Sequence, residues 1–209
     1  MKKQNFCIAL SFLGAFVLWT IGVCRVDVQP IGPLGTTVGF ATVNQFVHRL
    51  IGVRMSLYTL TDWLGLIPLG LMLGFALLGL AQWIQRKRLC RVDRSILVLG
   101  GFYAVLMGAY MFFERLTVNY RPILIHGHPE ISYPSSTTLL VLCVIPTAVM
   151  QLNSRIKNPA LKRGIALALT AFAVFMVIGR LLSGVHWFTD IVGGALLSAG
   201  LVMMYRSLL

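Results

Sequence analysis

The sequence predicts an all-α membrane protein: a six-transmembrane-helix bundle with an outward-facing polar site and an interfacial amphipathic helix. Three observations carry this. First, 57% of the 209 residues are hydrophobic and 11% are charged, whereas soluble domains run near ~25% charged. Second, six apolar stretches approach the ~20 residues that a helix needs to cross a hydrocarbon core. Third, the charges between these stretches sort by side.

The spans fall near residues 6–23, 63–84, 95–113, 137–152, 164–182 and 189–205. The first follows Lys2-Lys3, as a signal peptide would. Its end, Gly22-Val23-Cys24, is a poor cleavage site, and we read it as an uncleaved helix. The segments 1–5, 85–94, 153–163 and 206–209 hold twelve of the eighteen Lys and Arg, every lysine, and only Asp93 among acids. The opposite side holds six arginines and five acids. This is the positive-inside pattern, with both termini cytoplasmic. It points to a multi-pass protein of a bacterial plasma membrane with an extracytoplasmic site. It also explains the net charge of +12 without nucleic acid, and attraction to anionic head groups adds to it. Cys7, Cys24, Cys90 and Cys143 suit no disulfide framework. With no internal repeat, residues 1–209 read as one domain.

The long outer segment 25–61 begins as a loop around Pro30 and Pro33. From 42 to 58, Val43, Phe46, Leu50, Val53 and Leu57 recur every three or four residues. That spacing predicts one amphipathic helix in the interface, with His48 and Arg49 at head groups. Thr61-Asp62 reads as a cap for the second span. Trp19, Trp63 and Trp187 read as interfacial anchors and Trp83 as an inner-boundary anchor. Gly193-Gly194 reads as a close-packing position.

Three polar clusters share one side. They are Glu114-Arg115 to Arg121-Pro122, Tyr133-Pro134-Ser135-Ser136-Thr137, and Arg180 to Asp190. Ionisable groups at a membrane edge tend to be functional. His186 and Asp190 are four residues apart and would share a helix face. A carboxylate there can fix one ring nitrogen as N–H and leave the other as a nucleophile. Arginine offers a planar fork suited to phosphate. The combination suggests phosphoryl chemistry on a lipid. His126-Gly-His128 with Glu130 weakly suggests zinc, but the preferred reading is a metal-free loop.

These clusters resemble the three motifs of the type 2 phosphatidic acid phosphatase (PAP2) superfamily, which includes vanadium haloperoxidases. The motifs read Lys-x6-Arg-Pro, Pro-Ser-Gly-His and Ser-Arg-x5-His-x3-Asp. The third matches at Arg180, His186 and Asp190, with Gly179 for the serine. The first matches at Arg121-Pro122, with Glu114 for the lysine. The second matches at Pro134-Ser135, with Ser136 for the glycine and Thr137 for the histidine. The motif core covers about 95–205.

The resemblance implies a membrane lipid phosphatase or diphosphatase acting through phosphohistidine, with neither metal nor cofactor. His186 would attack phosphorus and Asp190 would orient it. Arg121, Arg180, Ser135 and Ser136 would bind phosphate. Thr137, Arg115 and His128 are candidate substitutes for the missing motif residues. The partner implied is a phospholipid or polyprenyl phosphate in the bilayer. The family's second-motif histidine protonates the leaving oxygen, and its loss should cost ~10²–10⁴-fold on a monoester. A diphosphate, whose leaving group is a weak base, should suffer less. Two alternatives are a weakened member that only binds lipid head groups, and a phosphotransferase. A channel or transporter has little support, since no acidic relay lies at the bilayer midplane.

Overall fold

The computed structural model describes residues 2–209. Its helices are α1 (Lys2–Arg25), α2 (Ala41–Ile51), α3 (Met55–Leu64), α4 (Leu66–Arg86), α5 (Arg94–Phe113), α6 (Ser136–Arg155), α7 (Pro159–Leu182) and α8 (Phe188–Leu208). Six spans among the described residues are long and apolar enough to cross a membrane, with α3 and α4 forming one of them. The protein is therefore the expected all-α, multi-pass bundle. Leu18, Leu73, Ile84 and Leu167 point outward, each at least 60% exposed, as lipid-facing side chains would.

Several helices run past the apolar stretches that announce them. α7 starts at Pro159 because the Asn158 side chain accepts from the Ala160 and Leu161 amides, and proline suits a first helical position. Between α3 and α4, Pro68 has no N–H for the Leu64 carbonyl, so one rung is missing near Gly65. Thr61 and Asp62 therefore lie inside α3 and do not cap the second span.

The single interfacial helix expected over 42–58 is instead two helices. Gly52 ends α2 at φ +70°, and Val53 and Arg54 belong to no helix before α3 begins. The three-to-four-residue apolar spacing continues across this elbow, which is why periodicity alone merged the two.

α6 and α8, each more than half buried, form the centre. α1 packs along α8, α7 along α6, and α3 against α7. Leu99, Leu106, Leu139, Cys143, Val144 and Tyr205 fill the main core. At Gly193 a methyl group would come within 2.7 Å of the Tyr133 ring, so the bare backbone lets the segment before α6 lie on α8. Tyr133 also stacks on Phe16 and bonds Thr20 of α1 at 2.7 Å.

Two of the tryptophans direct their N–H groups into the protein. Trp187 is buried, and its Nε1 donates to the Tyr120 carbonyl at 2.8 Å. Trp19 stacks on Phe40 and donates to the Thr189 carbonyl at 3.1 Å. Their N–H groups serve internal acceptors, a use that hydropathy cannot separate from anchoring. At the basic end, Asp93 gathers Arg86 at 2.9 Å, Gln82 at 2.8 Å and Arg155 at 3.9 Å. The polar clusters lie at the other end.

Candidate active site

The segment between α5 and α6 folds as an irregular hairpin. Ser132 N donates to the Asn119 carbonyl at 3.1 Å and Arg121 N to the Glu130 carbonyl at 2.9 Å. Ile125 and His128 exchange two bonds at 3.0 Å near the tip. In such a ladder alternate side chains share a face. Asn119, Arg121, Glu130 and Ser132 are therefore presented together; Arg121 and Ser132 meet the turn between α7 and α8, and Asn119 and Ser132 meet the first turn of α8.

His186 sits in that turn, not on a helix as the four-residue spacing suggested. The turn is held from outside. Gly184, at φ +70°, lies so close to Gly52 that a methyl group would be 2.0 Å from the Gly52 carbonyl oxygen. Arg54 N donates to the Ser183 carbonyl at 2.9 Å, and His48 Nε2 lies 3.1 Å from the Gly184 carbonyl. His48 also packs on Trp187, with ring centroids 5.5 Å apart. It braces the site instead of meeting head groups.

The tautomer of His186 follows from its neighbours. Its Nε2 lies 3.3 Å from Arg121 Nη1, which can only donate, so Nε2 carries a lone pair. In the neutral ring Nδ1 then bears the proton and donates to Ser132 Oγ at 3.1 Å. Ser132 Oγ donates onward to Asp190 Oδ2 at 2.5 Å. His186 Nδ1 and Asp190 Oδ2 themselves are 3.6 Å apart, so the expected direct bond is replaced by a serine bridge. Asp190 is fully buried and also accepts from Asn119 Nδ2 at 3.1 Å and from the Trp187 amide at 2.9 Å. The last contact closes the first turn of α8, so one carboxylate both caps a helix and anchors the relay.

Burial holds the His186 pKa down to about 4, with Arg121 and Arg180 adding to the effect and Asp190 opposing it. An unfolded histidine titrates near 6.5. Between those values the unfolded chain takes up a proton that the folded chain refuses. Stability from this residue is thus complete above pH ~6.5 and declines as pH falls towards 4. The loss amounts to about 3 kcal/mol at 1.36 kcal/mol per pKa unit. Thermal midpoints in detergent at pH 7 and pH 4.5 should show this fall, and His186→Gln should shrink it.

Arg121 Nε lies 3.0 Å from Glu130 Oε2, yet the contact lacks the angle of a hydrogen bond and the Nε–H is left over. Arg180 is 2% exposed and turns to α3, reaching Thr61 Oγ1 at 3.3 Å, the Tyr58 carbonyl at 3.4 Å and Asp62 at 3.5 Å. Its Nε–H is likewise buried without a partner. Two guanidinium groups with an unpartnered buried Nε–H, one of them beside the histidine lone pair, suit an oxyanion.

The other candidates fall around this centre. Ser135 caps α6, accepting from Thr138 N at 3.4 Å and Thr138 Oγ1 at 3.0 Å, while its amide donates to the Asp190 carbonyl at 3.1 Å. Its hydroxyl oxygen and its amide are thus already engaged. Ser136 lines a small cleft with Tyr110, Glu114, Ser132 and His186. Thr137 follows in the first turn of α6, partly buried. Arg115 is exposed and bonds the Met111 carbonyl at 3.1 Å. His128 is exposed at the hairpin tip beside His126, and Glu130 serves Arg121. The structure brings neither Arg115 nor His128 to His186.

Ser132, Asn119 and Tyr58 escaped the sequence reading. The alternation of Asn119 with Arg121 and of Glu130 with Ser132 was the signal for the first two, once the segment is read as a hairpin.

The fold and this cluster define a class: a six-span membrane protein with a buried cluster of arginine, histidine and aspartate at one end of its bundle. Residues 115–208 match the model of the PAP2 superfamily, a stretch that holds Arg121-Pro122 and the second and third clusters. The whole chain also shares its fold with a solved protein, described as the first transmembrane PAP2 type phosphatidylglycerolphosphate phosphatase from Bacillus subtilis. The TM-score is 0.56 at 20% identity, over 95% of this chain and 94% of that one. A comparison with curated proteins gives no match.

Proposed function

We propose that this protein is a membrane lipid phosphatase or diphosphatase that works through a phosphohistidine on His186. The observation that carries the reading is the Nε2 lone pair of a neutral, buried imidazole set 3.3 Å from the Arg121 guanidinium. Nε2 attacks phosphorus, and the bond from phosphorus to the lipid-side oxygen breaks. Arg121 and Arg180 offset charge on the phosphoryl oxygens. Nδ1 keeps its proton, and the cationic ring is stabilised through Ser132 by Asp190. Water then attacks phosphorus, the P–N bond breaks, and orthophosphate leaves with His186 neutral again. A site that only binds head groups has no use for so costly an arrangement of an oriented imidazole over a buried carboxylate.

The substrate proposed is a phosphate lipid with a good leaving group, such as a polyprenyl diphosphate. Thr137 cannot protonate a leaving alkoxide, a deficit of ~10²–10⁴-fold for a monoester. Glu114 opposes this preference, since it lines the cleft beside His186 and would repel a second phosphate. It is exposed, however, so solvent screens that repulsion to a small effect. The leaving-group effect is the larger one. Thr137→His should raise hydrolysis of phosphatidic acid by about tenfold or more and of a polyprenyl diphosphate by much less. Equal gains on the two lipids, measured as phosphate release, would remove the diphosphate assignment. The proposed setting is a plasma membrane with the site on the extracytoplasmic side, supported by the lysine- and arginine-bearing turns at the opposite end of the bundle.

A further inference from the structure

α3 contributes an aromatic ring that both arginines share. The Arg180 guanidinium carbon lies 4.7 Å from the centre of the Tyr58 ring and that of Arg121 lies 5.8 Å away. Both are within the ~6 Å over which a cation is drawn to an aromatic face. The oxygen contacts of Arg180 to α3, at 3.3 to 3.5 Å, are all long for N–H···O bonds. Asp62 is also 61% exposed at its side chain, which weakens its hold. The ring is the closely fitted partner that remains.

Tyr58 is itself firmly placed. α3 packs on α7 at Gly179, where a methyl group would come within 2.9 Å of Thr61 Cγ2. The serine of the family motif would crowd this spot, so the departure at Gly179 accompanies the close approach of α3. The Arg54 amide, just ahead of α3, is bonded to the Ser183 carbonyl. The ring therefore rides on an element fastened to the same turn that holds His186.

Two like charges drawn together in a buried site repel, and each must be fixed without using up the N–H groups meant for a ligand. A place over an aromatic ring does this, because the attraction of a cation to the π face consumes no hydrogen-bond acceptor and leaves N–H donors for a ligand. The unpaired Nε–H of each arginine fits that arrangement.

We propose that Tyr58 is a positioning residue that holds Arg121 and Arg180 as a single two-pronged clamp for the phosphate of the substrate. The proposal rests on the reading of that arginine pair as phosphate-binding. It assigns α3 a part in substrate affinity that lies outside the three motifs.

The test uses the full-length protein in detergent, with vanadate as the phosphate mimic and phosphate release as the activity. Tyr58→Phe keeps the ring and should stay within threefold of the parent. Tyr58→Leu should raise KM and the vanadate inhibition constant about tenfold and lower kcat as well, since the same arginines also meet the transition state. Trifluorinated phenylalanine placed at position 58 keeps shape and apolar packing but drains the π face. It should weaken vanadate binding towards the leucine value, and this arm stays decisive where the leucine variant does not fold. Vanadate binding equal for phenylalanine and its fluorinated form would overturn the proposal. Arg121→Ala serves as the reference. Loss of vanadate binding there with no effect at Tyr58 sinks the role of the ring alone, whereas unchanged binding in Arg121→Ala sinks the clamp itself.

Discussion

His186→Ala is expected to lower phosphate release by at least ~10⁴-fold, the scale seen when a covalent nucleophile is removed. No neighbouring group can take its place. The closest other side chains at the centre are Arg121, a donor only, and Ser132, whose proton is committed to Asp190. The fold should survive, because alanine removes a ring that bonds only side chains while the turn is held through backbone at Ser183 and Gly184. A cooperative unfolding transition at a lowered midpoint, because a buried ring and the partner of Arg121 Nη1 are lost, with release at background, is the expected pair of results. Substantial release from a folded His186→Ala protein would assign the chemistry elsewhere.

Asp190→Asn is expected to be the second most damaging change, on the order of 10³–10⁴-fold in turnover. The carboxylate oxygens accept from Ser132, Asn119 and the Trp187 amide. An amide has one acceptor oxygen, so its NH₂ must face at least one of these donors. If it faces Ser132, the serine hydroxyl turns towards His186 and favours the wrong ring tautomer, which moves the lone pair to Nδ1. If it faces Trp187 or Asn119, a buried donor is left unpaired, at about 1–3 kcal/mol. Activity and stability should therefore fall together. Ser132→Ala should cost less, about 10–10²-fold, because Asp190 at 3.6 Å from Nδ1 can close part of the gap. Asp190→Asn with parental turnover, measured beside its thermal midpoint, would remove the relay from the account.

His186, Asp190, Arg121 and Arg180 were legible in the sequence because each stands at a fixed spacing from a proline, a partner or a helix end. The six spans were legible because lipid demands long apolar runs, and their order put the three clusters on one face. What was not legible depends on contacts distant along the chain. Ser132 reaches the site only because the 119–132 segment pairs with itself. Tyr58 and Thr61 reach Arg180 only because α3 turns back onto α7 beyond the elbow at Gly52. Asp62 looked like a cap because a short polar residue before an apolar run usually is one. Its actual partner is more than a hundred residues away. Trp187 and His48 were misplaced for the same reason: amphipathic side chains near a membrane edge read alike whether they face head groups or brace a buried turn.

The covalent step is the centre of the account, and it can be observed directly. A lipid labelled with ³²P at the transferred phosphate is mixed with the purified protein in detergent, and the reaction is quenched in base, where phosphohistidine survives. The account predicts label on the peptide that carries His186, lost on acid treatment and absent when vanadate is added first. Steady phosphate release under the same conditions, with no label on that peptide at the earliest quench times, would contradict it.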